Sequence, residues 1–187
     1  MDVLTHVFAY VCGQGRCFVI DGVPLPVCQR CLGLYLGALL TALWPLGWRL
    51  WRSGLPGRRA VIVEAIALAT AMLAGLHVIE GGATWRLLCG LWTGHVVMLW
   101  LVGGAAELRA LSRPGRAPLP AWTKRTQLAA LAVVPLLALL ALAFVRLPPV
   151  GWYVWTTAAA LGVVALLLAG IAAVTAVGGQ LRLALRR

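Results

Sequence analysis

The sequence predicts an all-α protein: a polytopic membrane helical bundle of about five transmembrane helices, preceded by a short cysteine-rich amino-terminal segment. Two observations lead to this fold class. Of the 187 residues, 62% are hydrophobic and 11% are charged, whereas soluble domains have roughly 45–50% apolar and about 25% charged residues. In addition, five windows approach the roughly 20 apolar residues that a helix needs to cross a hydrocarbon core of about 30 Å.

The apolar windows divide the chain into four regions. The windows are Leu32–Trp48, Ala60–Ile79, Trp85–Ala106, Gln127–Val145 and Trp152–Val177. We therefore expect a cysteine-rich extracytoplasmic segment at 1–31, a core of three helices at 32–106, a basic loop at 107–125, and two further helices with a basic tail at 126–187. The pairs Gly33-x-x-x-Gly37 and Gly90-x-x-x-Gly94 have the spacing that lets two membrane helices approach closely.

The positions of the basic residues predict the orientation. The net charge is +11, and twelve basic residues fall on one side of the predicted bundle: Arg49, Arg52, Arg58, Arg59, Arg109, Arg113, Arg116, Lys124, Arg125, Arg182, Arg186 and Arg187. The other side has four, namely Arg16, Arg30, Arg86 and Arg146. Basic loops stay in the cytoplasm, so we expect an inner or plasma membrane protein with its amino terminus outside and its carboxyl terminus in the cytoplasm.

Nucleic-acid binding and a cleavable signal peptide are both disfavoured. No basic patch has interleaved aromatic residues, so nucleic acid is not an expected partner. The expected partner of the basic residues is the bilayer with its headgroups. The segment from Met1 to Val11 lacks the basic start of a cleavable signal peptide, so we expect it to be retained.

The amino-terminal segment holds the residues with the clearest potential for chemistry. Cys12, Cys17, Cys28 and Cys31 lie within twenty residues, and the last two form a C-x-x-C pair. The stretch 21–26 is rich in turn-forming residues and lets the chain double back, so the four thiols are compatible with a tetrahedral Zn site. Two disulfides, favoured by an oxidising exterior, and redox-active or simply buried thiols remain as alternatives. Cys89 is expected to be a packing residue.

Further candidates lie within or beside the predicted helices. His77 and Glu80 are three residues apart and share a helix face, and with Arg86 they emerge on the cysteine side. They suit either a mixed ligand set or a Glu80–Arg86 pair in a short turn. His95 lies at mid-membrane depth, where polar groups are often functional; it suits a haem, a chlorophyll-type pigment or a metal, or a hydrogen bond to a neighbouring helix. Glu64 is expected to reach the cytoplasmic interface.

One stretch resembles a known family. The residues Phe18-x-x-x-Gly22-x-x-Leu25-Pro26-Val27-Cys28-x-Arg30-Cys31-x-Gly33-x-Tyr35-x-Gly37 resemble the signature of small multi-pass prokaryotic membrane proteins that are catalogued as a domain of unknown function. Those proteins have a Cys-His-Gln where this chain has Cys12-Gly13-Gln14, and a serine where it has Cys17. Later in their sequences those proteins have an Asp-Gly and an Arg…Thr-Gly, and Glu80-Gly81 and Arg86…Thr93-Gly94 of this chain resemble these motifs. The resemblance implies that Cys12, Cys28, Cys31 and Glu80 form a common site, around a metal.

These patterns favour two functions. The first is a small accessory or structural subunit of a larger respiratory or photosynthetic membrane complex, with other membrane subunits as partners and a cysteine-based metal or disulfide site. The alternative is a membrane-embedded metal-dependent enzyme acting on a lipid-like or small substrate, with Glu80 as proton carrier and Arg86 as anion clamp. A transporter is the weakest candidate, because no inverted pair of broken helices is evident.

Overall fold

The computed structural model describes residues 8, 16–20, 22–43, 55–75, 81–111, 132, 136 and 151–185. These residues form strands β1 (Cys17–Ile20) and β2 (Val23–Cys28), followed by helices α1 (Gln29–Leu43), α2 (Arg58–Gly75), α3 (Ala83–Leu111) and α4 (Gly151–Ala184). The two strands pair antiparallel as a hairpin, and α1 begins at the residue after β2. The hairpin is therefore joined directly to the helical part.

Helices α1, α3 and α4 pack together and begin at the same end of the molecule, beside the hairpin. At this end Arg86 in the first turn of α3 donates a hydrogen bond to Gln29 at the start of α1, at 3.1 Å. Trp152 at the start of α4 donates one to the carbonyl oxygen of Pro24 in β2, at 3.2 Å. The main core lies just below, where Leu25 and Val27 of β2 meet side chains of the three helices: Leu32, Tyr35, Leu36, Leu87, Leu91, Trp155 and Ala159.

The contact between α1 and α3 is lined by glycine. A Cβ atom added at Gly33 or Gly37 would overlap the carbonyl oxygens of Leu87 and Leu91 in α3, and one added at Gly94 would overlap that of Leu34 in α1. Because membrane helices gain little hydrophobic energy from each other, such backbone contact is a main source of their association. The predicted role of the two glycine pairs is confirmed, and they line the same interface.

Helix α2 packs on α3 and runs in the opposite direction. Leu55, just before α2, donates its backbone N–H to Glu107 near the end of α3, at 3.2 Å. Farther along α2, Ala71 packs against Cys89 near the start of α3. Large apolar side chains of α2 are exposed, including Ile62, Ile66 and Met72.

The predicted all-α bundle of five transmembrane helices is wrong. The described residues contain four helices and a two-stranded sheet, and two of these helices, α3 and α4, are long and apolar enough to cross a membrane. Helix α1 has 15 residues, about 22 Å at 1.5 Å per residue, which is shorter than a bilayer core. Helix α2 carries Arg58, Arg59 and Glu64 within 18 residues.

The third and fifth windows correspond to real helices. Window 85–106 lies inside α3 and window 152–177 inside α4. In α3, 56% of the most apolar window is buried in the molecule, against 17% in α4, so α3 is central and α4 presents most of its apolar surface outward. The fourth window, 127–145, lies outside the described residues apart from Ala132 and Leu136. The proposed domain boundaries stay predictions.

Candidate functional site

The candidate site is the hairpin that carries Cys17 and Cys28, together with the first turn of α1. Ile20 pairs with Val23, so the hairpin closes over two residues, and their sequence, Asp-Gly, is a favoured two-residue turn. Gly22 has a φ of +78°, a left-handed conformation that glycine adopts without steric cost. The expectation that the chain doubles back here is confirmed.

The register of the hairpin places two cysteines directly opposite each other. Cys17 is the partner of Cys28, and an irregularity follows between Cys17 and Val19. The next pair outward, Arg16 and Gln29, is joined by a hydrogen bond from the Gln29 N–H to the Arg16 carbonyl, at 3.0 Å. Because hydrogen-bonded and non-hydrogen-bonded pairs alternate, Cys17 and Cys28 form a non-hydrogen-bonded pair, whose Cα atoms are about 4.5 Å apart. Disulfides span Cα separations of about 4.4–6.8 Å.

Cys28 also faces a second cysteine. It is the last residue of β2 and immediately precedes α1, which makes it the N-cap of that helix. Its Sγ accepts a hydrogen bond from the backbone N–H of Cys31, at 3.4 Å, which is the usual contact between an N-cap side chain and the third helical residue. Since the Cys31 thiol is three covalent bonds from that nitrogen, Cys28 lies between Cys17 on one side and Cys31 on the other.

The three cysteines differ in exposure. The Cys28 side chain is buried, with 3% of its surface accessible, and Cys17 and Cys31 are half-buried. Cys31 packs against the main core cluster. Strand β2 makes most of the hairpin's contacts with α1 and α4, and Phe18 and Ile20 of β1, the strand that carries Cys17, also pack against the core. Cys28 is therefore the most buried of the three, with a half-buried cysteine on each side of it.

Two arginines lie near the C-x-x-C pair. Arg86 is half-buried and bonded to Gln29, which is one of the two residues between the cysteines of the C-x-x-C pair; Arg30 is the other. Within the described part of the chain the acids are Glu64 and Glu107, and both bond partners elsewhere. A helix N-terminus and nearby arginines stabilise negative charge on sulfur. Arg86, predicted as an anion clamp, thus lies at the cysteine site and holds the start of α1.

Among the other predicted site residues, the structure describes His95, which lies away from this end. Cys12, His77 and Glu80 lie outside the described residues. His95 is 4% exposed, and its Nδ1 is 2.8 Å from the Thr41 hydroxyl. That hydroxyl donates to the Gly37 carbonyl oxygen at 2.6 Å, so Nδ1–H is the donor to Thr41. This bond to a neighbouring helix matches one of the two predicted roles of His95; its role as a haem, pigment or metal ligand stays a prediction, as does that of His77.

A buried carboxylate was missed by the sequence analysis. Glu64 was expected at the cytoplasmic interface, but its side chain is 2% exposed, and its Oε2 accepts a hydrogen bond from Trp100 Nε1 at 2.7 Å. The two residues are 36 positions apart on α2 and α3, so no spacing in the sequence indicates the pair.

The zinc site stays a prediction. Across the described residues, no group of three or more His, Cys, Asp or Glu side chains is close enough together to hold a metal ion. A tetrahedral site made of cysteines alone would need a fourth ligand, and the predicted one, Cys12, is outside those residues. The structure shows one cysteine neighbour on each side of Cys28.

The fold and the exposed apolar helices are those of a membrane protein, and comparison of the sequence agrees. Residues 12–100 match the model of a family described as "Predicted membrane protein (DUF2085)". The match covers a little under half of the chain and includes the hairpin, α1, α2 and more than half of α3. It supports the resemblance inferred from the cysteine motif, and the family has no assigned function. No curated protein and no solved structure gives a significant match.

Proposed function

We propose that this chain is a small accessory subunit of a larger membrane complex, of the respiratory or photosynthetic kind, and that its hairpin carries a thiol–disulfide site. The observation that carries the proposal is the arrangement of Cys17, Cys28 and Cys31. Cys17 is opposite Cys28 in the hairpin, and the Cys31 N–H donates to Cys28 Sγ. A non-hydrogen-bonded cross-strand pair has the Cα separation that a disulfide spans.

The distribution of charge supports an extracytoplasmic location for this site. The hairpin end holds the starts of α1, α3 and α4. Arg58 and Arg59 begin α2 beside the far end of α3, and Arg109 donates to the Ala172 carbonyl of α4 at 3.5 Å, also far from the hairpin. Because basic residues concentrate on the cytoplasmic side, the hairpin faces the exterior, where disulfides persist.

The accessory role is supported by what surrounds the helices. The outward face of α4 is apolar, with Leu161, Leu168 and Val174 exposed, which suits lipid or neighbouring subunits. Inside the bundle, the buried polar groups His95 and Glu64 are each hydrogen-bonded to a neighbouring helix. These contacts stabilise helix packing and need no bound substrate.

The metal-dependent enzyme is the second candidate. It would need Cys12 to join Cys17, Cys28 and Cys31, and Glu80 to approach Arg86. Arg86 is favourable to it, because it is half-buried at the site and bonded to the C-x-x-C segment.

One experiment separates the two candidates. The full chain is purified in mild detergent, and bound metal and reactive thiols are measured together on wild type, Cys28→Ser and the control Cys89→Ala, whose cysteine is buried between α2 and α3. We expect no stoichiometric metal, and thiols that oxidise reversibly in wild type and in Cys89→Ala but not in Cys28→Ser. One tightly held zinc or iron per chain, lost in Cys28→Ser, would establish the metal site instead.

The accessory role is tested on the same preparations. Extraction in a mild detergent followed by native electrophoresis should recover the chain in an assembly larger than its own 19.9 kDa. Recovery as a monomer carrying catalytic activity would contradict it.

A further inference from the structure

Cys28 has two cysteine neighbours but can form a disulfide with one of them at a time. Its register partner Cys17 is on the outer strand, and Cys31 is one helical turn ahead, packed against the core. A disulfide at this site therefore has two alternative positions that share the Cys28 sulfur. Both positions are present in one backbone arrangement, so changing between them requires side-chain movement and no refolding.

We propose that the three cysteines form a disulfide relay, which takes oxidising equivalents from an external disulfide at Cys17 and stores them in the Cys28–Cys31 pair. This inference rests on the proposed thiol–disulfide function of the hairpin. The substrate class is a disulfide compound that reaches the outer strand, and the product is the corresponding pair of thiols. The structural basis is the position of Cys28 between two neighbours: half-buried Cys17 lies opposite it on β1, and Cys31 lies beside it on α1, packed against the core.

The chemistry balances in three exchange steps. The Cys17 thiolate attacks the incoming disulfide, forms a mixed disulfide and releases the first thiolate, which takes a proton from water. The Cys28 thiolate attacks the Cys17 sulfur, forms the Cys17–Cys28 disulfide and releases the second thiolate. The Cys31 thiolate then attacks the Cys28 sulfur, forms the Cys28–Cys31 disulfide and regenerates the Cys17 thiolate. The external disulfide is reduced, and the Cys28 and Cys31 thiols are oxidised.

The position of Cys28 supplies one feature that stabilises a thiolate. Cys28 is the N-cap of α1, where backbone N–H groups and the helix dipole stabilise negative charge. The hydrogen bond from Arg86 to Gln29 fixes α3 against the C-x-x-C turn, so Cys31 stays aligned with Cys28. Arg30 is in the first turn of α1 and Arg86 in the first turn of α3.

The test is a time course with dithiobis(nitrobenzoate), an aromatic disulfide that releases a coloured thiol. The full-length chain in detergent carries Cys12→Ser, so that a fourth amino-terminal thiol takes no part, and it is reduced before reagent is added at equimolar amount. Samples are alkylated at intervals, and the disulfide-linked peptides are identified by mass spectrometry. The Cys17–Cys28 peptide should appear first and give way to Cys28–Cys31.

Single substitutions on the same background sharpen the test. Cys31→Ser should stop at Cys17–Cys28. Cys17→Ser should form Cys28–Cys31, but about tenfold more slowly, because the outer nucleophile is lost. Cys28→Ser should keep a mixed disulfide and release only the first coloured thiol, since the resolving step is no longer intramolecular. Cys89→Ala is the control and should behave as its parent.

Two results would overturn the relay, and they differ in whether the proposed thiol–disulfide function survives. If the wild-type end product is Cys17–Cys28 and Cys31→Ser changes nothing, the hairpin has an ordinary cross-strand disulfide, and the proposed thiol–disulfide function survives without the relay. If no intramolecular disulfide forms in wild type and zinc is bound instead, both fail. The time course on the Cys12→Ser parent leaves all three relay cysteines in place, so the test holds even if Cys28→Ser does not fold.

A second reagent identifies the source of the disulfide. Oxidised glutathione and a protein with one exposed disulfide are supplied in turn to the same chain. Faster loading from the protein would identify a protein partner, and faster loading from glutathione a small-molecule one. Failure of both, with the aromatic reagent still active, would contradict the assignment of a biological disulfide as substrate.

Discussion

Helix α3 has two contrasting interfaces. Against α1 it presents Gly90 and Gly94, and the two backbones are so close that an added methyl group would overlap a carbonyl oxygen. Against α2 it presents Trp100, a large side chain that reaches across to the Glu64 carboxylate. Contact through backbone leaves no freedom to repack, whereas contact through long side chains does. The α1–α3 pair is therefore expected to be the rigid part of the molecule and α2 the more easily displaced part.

The largest effect should come from filling the glycine interface. Gly94→Val places a branched side chain against the Leu34 carbonyl oxygen, and since backbone must move, we expect a loss of about 3 kcal/mol in the free energy of unfolding. The measurement is denaturant unfolding in detergent. The control is Gly104→Val on the same helix, where nothing lies within 4 Å. Equal losses at the two positions would show that the interface is not tightly packed.

The glycine interface is also where the sequence was most informative. Small residues four apart are a local pattern, and so is the apolar length that located α3 and α4. The hairpin was harder to predict, because Pro24 and Pro26 argue against a strand although both fit a two-stranded sheet with open edges. The bond between Glu64 and Trp100 depends on how α2 is rotated about its axis, which no local pattern specifies. Of the candidate site, the C-x-x-C pair was evident, but the opposition of Cys17 and Cys28 depends on the register of the hairpin.

The second effect concerns the other interface of α3. Trp100→Phe removes the donor to the buried Glu64 carboxylate, and a buried group that loses its partner costs about 2 kcal/mol. Trp92→Phe is the matched control, because Trp92 Nε1 is buried and has no hydrogen-bond partner among the described residues. Both variants are compared by the same unfolding assay. If Trp92→Phe were as costly as Trp100→Phe, ring packing and not the hydrogen bond would hold α2.

A smaller effect is expected within the α1–α3 interface itself. Thr41→Val removes the acceptor for His95 Nδ1–H, and hydrogen bonds between membrane helices are worth about 1 kcal/mol. Thr70→Val is its control: the Thr70 hydroxyl is exposed and donates to Ile66 of its own helix, at 2.9 Å, just as Thr41 donates to Gly37. A difference between the two in unfolding free energy isolates the bond to His95. No difference would mean that the glycine contacts alone hold the two helices.

The smallest effect tests whether the hairpin is as rigid as the helices that it joins. Trp152→Phe removes the hydrogen bond from α4 to the Pro24 carbonyl, which is exposed and worth about 0.5 kcal/mol. Because Leu25 and Val27 remain buried in the core, we expect global stability to be almost unchanged while amide hydrogen exchange of β1 and β2 becomes faster. Tyr153→Phe, at the neighbouring exposed position, should leave that exchange as in wild type. Unchanged exchange in Trp152→Phe would show that burial of β2 alone fixes the register of Cys17 and Cys28, and that α4 is not needed to align them.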